Sequence, residues 1–207
     1  AAFMTDYDDL QVSQFDGTLG FTVGNAPETE VSGIEVDGRW AVSDNTLLSF
    51  SLATLDHEFK YFPAGNCYNR QVPDGAVVNG VALCDYTGKT GRLAPEISAF
   101  LSLKQTFPLS GGLLLAAMVD VSYEDEQNAH TNLDPKFTVD EITRVNVGLS
   151  LESETWELAL LMRNITDEQQ QGFVANVPLS GSSFGTNTFY SVLSRPKEIF
   201  LQASYRF

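Results

Sequence analysis

The stretch that decides the fold is EIFLQASYRF, the last ten residues of the chain, Glu198–Phe207. Every second residue from Ile199 to Phe207 is apolar or aromatic, whereas Glu198, Gln202 and Ser204 alternate with them. Successive side chains of a β-strand point to opposite faces, so this pattern predicts a strand with one apolar face. The question is why such a strand carries an aromatic residue at its end.

The same alternation recurs along the chain, and no segment of ten or more residues shows a helical stripe. It is clearest in SGIEVDGRWAV (32–42), EISAFLSLKQTF (96–107), LLLAAMVDVSYE (113–124), VDEITRVNVGLSLE (139–152) and TWELALLMRN (155–164). The pattern predicts eight strands, at 1–15, 21–42, 46–62, 91–107, 113–124, 137–152, 155–166 and 190–207.

The predicted connections alternate in length. Short turns are expected at 43–45, 108–112 and 153–154, and longer connections at 63–90, 125–136 and 167–189, with 16–20 as a short exception. Either a soluble sandwich or barrel, apolar face inward, or an outer-membrane barrel, apolar face outward, produces alternating strands. Strands of about 12 residues or more, against about 5–6 in most globular proteins, favour the membrane barrel.

Aromatic residues near the predicted strand ends also fit the interfacial girdles of a membrane barrel. They are Phe59, Tyr61, Phe62, Phe107, Tyr123, Phe137, Trp156, Tyr190, Tyr205 and Phe207. The sequence therefore predicts an all-β fold, an antiparallel up-and-down transmembrane β-barrel segment of about eight strands, with long outer loops and short periplasmic turns.

Composition excludes several classes of protein. A hydrophobic content of 43% argues against disorder. The formal charge of −15 argues against nucleic-acid binding, which needs Lys and Arg to neutralise phosphates. The longest apolar run, 113–119, is far shorter than the roughly 20 residues of a spanning helix.

Several motifs in this order resemble the carboxy-terminal part of TonB-dependent outer-membrane receptors. They are VGNAPETEVSGIEVDGRW (23–40), TGKTGRLAPEISAFLSL (87–103), WELALLMRNITDE (156–168) and RPKEIFLQASYRF (195–207). The resemblance implies that residues 1–207 are a carboxy-terminal portion of such a barrel, without its plug domain and earlier strands. It implies a bacterial outer-membrane location, contact with outer-membrane lipid, and no enzymatic activity.

The function that the resemblance implies is energy-coupled uptake of a scarce small-molecule or glycan ligand, such as a siderophore or a vitamin, with the plug domain and the TonB complex as partners. Tyr205 and Phe207 resemble the terminal signal read by the barrel-assembly machinery, although Phe200 and Gln202 depart from its usual pattern. Asn164 and Asp167, in the motif NITD, are expected to hydrogen-bond the strand-to-loop turn. Loops 63–90 and 167–189, the latter with LSGSSFGTNTFY, are expected to contribute to ligand binding.

Three groups of residues could carry chemistry. Cys67 and Cys84 are the only cysteines, and an even count in an extracytoplasmic loop predicts a disulfide, with free thiols or a metal site as alternatives. His57 and His130 lack a flanking nucleophile motif, so a hydrolase is a weaker alternative. The acidic clusters 6–9 and 124–126 lack the spacing of a calcium loop and predict solvated surface or lumen charges, although calcium binding stays open.

Two alternatives to a receptor segment remain. One is a complete small eight-stranded outer-membrane barrel that acts as an adhesin, anchor or structural protein, with its first strand paired to its last. The other is a secreted β-sandwich. No cofactor and no metal are expected at any residue.

Overall fold

The computed structural model describes residues 1–15, 21–177, 180 and 188–207. One antiparallel sheet of eight strands dominates it. The strands are β1 (Ala2–Phe15), β2 (Phe21–Ser43), β3 (Thr46–Tyr61), β6 (Ile97–Pro108), β7 (Leu114–Glu124), β10 (Ile142–Glu152), β11 (Trp156–Arg163) and β14 (Glu198–Tyr205). Three two-stranded hairpins lie between them, β4 (Val77–Val78) with β5 (Val81–Ala82), β8 (Gln127–Asn128) with β9 (Thr138–Val139), and β12 (Gln171–Asn176) with β13 (Phe189–Leu193).

The large sheet has the predicted up-and-down topology. Its order is β1-β2-β3-β6-β7-β10-β11-β14, so each strand pairs with the preceding and following long strand of the chain. Strands β1 and β14 form the two edges and do not pair with each other among the described residues. The structure therefore confirms an all-β antiparallel segment and shows an open sheet, not the closed eight-stranded barrel of the first alternative.

The strand registers place the apolar residues side by side on one face of the sheet. One row crosses seven strands without interruption. Its members, in the order of the strands, are Trp40, Leu48, Leu103, Val119, Val147, Met162 and Ile199. A neighbouring row places Leu149 between Ala117 and Leu160.

This apolar face is exposed. Trp40 is 61% exposed and Ile199 62%, and no other described part of the chain covers them. A soluble sandwich buries its apolar face, whereas a membrane barrel presents it to lipid. The arrangement therefore contradicts the sandwich alternative. Among the described residues, no helix is long and apolar enough to cross a membrane.

Short turns and long connections lie at opposite ends of the sheet, as predicted. Turns 44–45, 109–113 and 153–155 join strands at one end. At the other end lie connection A (62–96), connection B (125–141) and connection C (164–197). The predicted short connection at 16–20 lies outside the described residues.

Three predicted strands begin too early. Residues 91–96 are not part of β6, because Leu93 has a φ of 54° and breaks the extended backbone. Residues 137–141 contain the end of a 3₁₀ turn, Pro135–Phe137, and the short strand β9. The start of the predicted last strand, 190–207, belongs to β13, which pairs with β12 and not with the large sheet, so the last strand of the large sheet begins at Glu198. Alternation continues through these segments, but it does not reveal which partner a segment has.

One close backbone approach requires glycine in β2. Gly33 lies opposite Phe3 of β1, whose ring occupies the space above it. A Cβ at Gly33 would lie 2.1 Å from the carbonyl oxygen of Thr54 and 2.8 Å from the Phe3 ring. Only a residue without a Cβ fits between these two neighbours.

Candidate functional site: a cleft among the outer connections

The best-packed part of the chain lies among the outer connections and not under the sheet. Phe59, Phe62 and Tyr86 form an aromatic cluster, with ring centroids 5.2 Å apart for Phe59 and Phe62 and 5.3 Å apart for Phe62 and Tyr86. Ala26 of β2 and Cys84 are buried with them. Buried aromatic pairs in edge-to-face geometry contribute about 0.5–1.5 kcal/mol each beyond their area.

The predicted disulfide is present and fastens connection A. Cys67 and Cys84 are bonded, with their Cα atoms 5.1 Å apart and a separation of 17 positions in sequence. Gly65 and Cys84 also exchange two backbone hydrogen bonds of 2.9 and 2.8 Å. Closing a loop of this length lowers the conformational entropy of the unfolded chain, which stabilises the folded state by about 3 kcal/mol. The bond therefore holds connection A in one conformation over the aromatic cluster.

A cleft of about 240 Å³ opens beside the aromatic cluster. Its lining comes from β1, the end of β3, connection A and connection B, namely Gln11, Val12, Phe59, Phe62, Asn66, Tyr86, Arg92, Thr131 and Leu133. Of these lining residues, Arg92 alone carries a formal charge. An aromatic floor with one guanidinium and a few amide and hydroxyl groups suits a small ligand that is partly apolar and partly anionic.

The hydroxyl of Tyr86 is hydrogen-bonded within the protein and does not point at a ligand as a free donor. Its hydroxyl donates a hydrogen bond to the carbonyl oxygen of Asn66, across the base of connection A. Burial raises the pKa of Tyr86, so the hydroxyl keeps its proton. The ring therefore contributes an apolar wall, while Arg92 remains the charged group of the cleft.

The histidines make structural contacts. The Nδ1 atom of His57 accepts the backbone N–H of Gly91 at 3.0 Å, which fixes the end of connection A on β3. His130 is 3% exposed, and its Nδ1 accepts the backbone N–H of Asn132 at 3.1 Å. An Nδ1 atom that accepts a hydrogen bond carries no proton, so neither ring is arranged like the base of a catalytic triad, whose Nδ1–H donates to a carboxylate.

Asn164 and Asp167 tie together the two ends of connection C. The Asn164 amide donates to the carbonyl oxygens of Glu168 at 2.8 Å and Arg195 at 3.1 Å. Asp167 accepts the backbone N–H of Lys197 at 2.8 Å. Asn164 itself has a φ of 48°, which ends β11 at Arg163, three residues before the predicted end.

Tyr205 and Phe207 lie at the short-turn end of the sheet. Tyr205 pairs with Trp156 on the apolar face and is 66% exposed, and Phe207 is fully exposed after the end of β14. Both rings are accessible for a contact outside the described chain.

The acidic clusters do not gather into an ion site. Among the described residues, no group of three or more His, Cys, Asp or Glu side chains could hold a metal ion. The Oδ1 atom of Asp125 instead accepts the backbone N–H of Glu126 at 2.9 Å and the Tyr123 hydroxyl at 3.3 Å. The Asp125 carboxylate therefore organises the start of connection B.

Sequence reasoning missed the main features of the cleft. Phe59, Phe62 and Phe137 were expected in an interfacial girdle, but they pack among the outer connections. Arg92 was not singled out at all. The signal that could have found it is an arginine within the aromatic and glycine-rich composition of connection A, which is typical of loops that bind ligands.

Comparison with known proteins agrees with the fold. Three solved structures cover nearly all of this chain, and each is a receptor. The first is the ferric yersiniabactin uptake receptor FyuA of Yersinia pestis, at 14% identity and a TM-score of 0.70, where the match covers 98% of this chain and 26% of that one. The second is the siderophore receptor PiuA of Acinetobacter baumannii, at 18% identity and a TM-score of 0.65, covering 98% of this chain and 24% of that one. The third is the ferric preacinetobactin receptor BauA of Acinetobacter baumannii, at 16% identity and a TM-score of 0.64, covering 99% of this chain and 26% of that one.

The chain thus spans about a quarter of the length of these receptors. A comparison with curated protein sequences found no match. The family model described as TonB dependent receptor-like, beta-barrel matches residues 1–165. The chain therefore belongs to the TonB-dependent receptor-like β-barrel family, whose members are outer-membrane proteins.

Proposed function

We propose that residues 1–207 form a carboxy-terminal portion of the barrel of an outer-membrane receptor that takes up a scarce ligand by energy-coupled transport. The proposal rests above all on one observation. The same sheet that presents a continuous exposed apolar face holds, at one end only, long connections that pack into a ligand-sized cleft. A face for lipid and a cleft at one membrane surface are what a receptor needs.

The ligand class that we favour is a siderophore. By name, PiuA is a siderophore receptor, and FyuA and BauA are receptors for ferric yersiniabactin and ferric preacinetobactin; at their low identity, these structures support the fold alone. The cleft adds an independent argument, because Arg92 supplies a positive charge beside an aromatic floor in a chain of strongly negative charge. A vitamin or a glycan is the second choice.

The proposed mechanism is transport and not catalysis. The outer connections capture the ligand, and a plug domain, pulled by the TonB complex at the expense of a proton gradient, opens the lumen. The inner face of this segment would contact such a plug, since it carries charges of both signs. These include Glu35, Asp37, Arg39, Lys104, Asp120 and Arg144, all on the face opposite the apolar row.

Assembly of the barrel is part of the same proposal. Tyr205 and Phe207 would present their exposed rings to the barrel-assembly machinery at the short-turn end of β14. Outer-membrane lipid would then cover the apolar rows.

The direct test is uptake of radioactive iron supplied as a panel of ferric siderophores. Cells that produce the full-length protein are compared with cells that lack it, with and without a protonophore. The proposal predicts uptake of at least one siderophore that stops when the proton gradient collapses. Surface binding without gradient-dependent uptake would instead support an adhesin or anchor.

A matched pair of arginine variants tests the cleft itself. Arg92→Gln removes the charge in the cleft, whereas Arg70→Gln removes a charge from the same connection at an exposed position outside the lining. A hydrogen bond to a charged group contributes about 1.5–3 kcal/mol, so Arg92→Gln should weaken binding of the transported siderophore about tenfold or more. Equal affinity of the two variants would place the binding site elsewhere.

A further inference from the structure

We propose that His130 is a proton-sensitive latch that joins outer connections B and C, and that acidification opens it and loosens one wall of the ligand cleft. The latch consists of His130, Asn132, Phe137 and Asn176 with Phe189. Its effect on ligand capture rests on the proposed function, whereas the latch itself does not.

The hydrogen bonds of the ring define one protonation state. The backbone N–H of Asn132 donates to Nδ1 at 3.1 Å, so Nδ1 must lack a proton. The neutral ring then carries its hydrogen on Nε2, which lies 3.2 Å from the Oδ1 atom of Asn176 in β12. Both nitrogens of the neutral imidazole are thereby satisfied, one within connection B and one across to connection C.

Packing around the ring makes it the joint between the two connections. The Phe137 ring stacks on the His130 ring with their centroids 5.3 Å apart, and the Phe189 ring of β13 contacts it edge-on with their centroids 6.0 Å apart. Ala129 and Val174 are buried beside it and joined by a backbone hydrogen bond of 3.4 Å. Releasing the ring would therefore weaken the contact between connection B and the β12–β13 hairpin, leaving the Ala129–Val174 hydrogen bond and the Phe137–Phe189 contact to hold the two together.

The latch is continuous with the cleft. Thr131 and Leu133, which line the cleft, are one and three residues after His130 in the chain. The turn that positions them is closed by the Asn132 bond to the ring and by the backbone N–H of Leu133, which donates to the carbonyl oxygen of His130 at 3.1 Å. A second proton on the ring would put an N–H on Nδ1 facing the N–H of Asn132, and this turn would lose one of its two hydrogen bonds.

The electrostatic surroundings favour the neutral ring. Burial is the largest influence and lowers the pKa of His130, and Arg92 of connection A acts in the same direction. Interactions with the side chains of Asn176 and Asn132, and then the carboxylate of Asp134, act in the opposite direction and only partly offset it. The groups that β12 and β13 place against the ring, Asn176 and Phe189, do not titrate.

The direction of the pH effect follows from this lowered pKa. An opened connection exposes His130 and restores its ordinary pKa of about 6.5, so the open form binds a proton more readily than the latched form. The stability of the latch is therefore complete above about pH 6.5 and is lost as the pH falls below that value. His130 acts here as a positioning residue for the cleft wall.

Hydrogen–deuterium exchange of the full-length protein in outer-membrane vesicles tests the latch without any ligand. The measured amide is that of Asn132, from about pH 7.5 to about pH 5, with exchange corrected for its intrinsic pH dependence. We expect protection of Asn132 to be lost on acidification while the amides of β10 keep theirs. Full protection of Asn132 at pH 5 would overturn the proposal.

Three variants sharpen the result. In His130→Gln, protection of the Asn132 amide should no longer depend on pH. In His57→Gln, which alters the other histidine, protection of Asn132 should still be lost on acidification. A pH-dependent loss of protection that persists in His130→Gln would overturn the latch. If His130→Gln leaves the Asn132 amide unprotected at every pH, that variant cannot test the pH dependence, and Asn176→Asp tests it instead. A carboxylate beside Nε2 raises the pKa of His130 in the latched form, so the pH-dependent loss should shrink, and an unchanged loss overturns the latch. Siderophore uptake plays no part in this readout, so the latch and the proposed function fail separately.

Discussion

Replacement of Leu149 by arginine tests the orientation of the sheet at one residue. Leu149 lies on the apolar face of β10, between Ala117 and Leu160, with the row of Val147 on one side and that of Leu151 on the other. It is 42% exposed, so an arginine there would enter lipid and not a protein core. Arginine on the lipid face of a barrel costs about 2–4 kcal/mol near the bilayer midplane. That cost lowers the ratio of folded to unfolded protein about 30- to 1,000-fold.

Ser150→Arg is the matched control, because Ser150 is the next residue of β10 and lies on the opposite face, between Ala116 and Ala159. The assay is urea-induced unfolding of the full-length protein in lipid vesicles, with the free energy of unfolding measured for both variants. Leu149→Arg should lose about 2–4 kcal/mol and Ser150→Arg less than about 1 kcal/mol. Equal losses, or a larger loss for Ser150→Arg, would refute the assignment of the apolar face to lipid.

Three further predictions concern stability. Gly33→Ala should lower the free energy of unfolding by about 1–3 kcal/mol, because a Cβ would lie 2.1 Å from a neighbouring carbonyl oxygen, as measured by the same urea assay. Replacing Cys67 and Cys84 together by serine should cost connection A about 3 kcal/mol of stabilisation and make it the first site of protease cleavage. Asn164→Ala should cost about 1–3 kcal/mol, because the buried Asn164 amide no longer donates to the carbonyl oxygens of Glu168 and Arg195, and should speed amide exchange in connection C.

Each of these predictions has a decisive counter-result. Gly172→Ala is the control for Gly33→Ala, since its nearest neighbour, the carbonyl oxygen of Val192, is 3.9 Å away, and equal losses would contradict the packing argument. For the disulfide, an unchanged cleavage pattern after both replacements would show that the bond does not restrain connection A. For Asn164, exchange that stays at the wild-type rate in connection C would contradict its role in tying the two ends together.

The strands could be predicted because side chains alternate between the two faces with a period of two residues, and the pairing of neighbouring strands keeps the same alternation. In β10, the residues that alternate in sequence, from Val145 to Leu151, are those that pair with apolar residues of β7 and β11. A one-residue slip would move all of them to the other face, so the pattern fixes the register wherever one face must be apolar. The disulfide could be predicted for a simpler reason, since two cysteines in one connection have a single possible pairing.

The outer connections could not be predicted in the same way, because their contacts join segments far apart in sequence. The ring of His130 meets Asn176, which is 46 residues away, and nothing in either local pattern indicates the other. Asn146 gives a similar lesson inside the sheet. Alternation places it among ordinary inner-face residues, equivalent to Ser150, but its Oδ1 accepts the backbone N–H of Asn164 at 2.9 Å. Asn146 is therefore part of the base of connection C.

The central claim is that the apolar face of this sheet contacts membrane lipid. The most direct measurement is a spin-label scan of residues 144–151 in β10 of the full-length protein in outer-membrane vesicles. Collision rates with oxygen, which concentrates in lipid, are compared with those of a water-soluble relaxing agent. The account predicts strict alternation, with labels at Val145, Val147, Leu149 and Leu151 accessible to oxygen and the intervening positions accessible to the water-soluble agent. The reverse alternation, or none, would contradict the account.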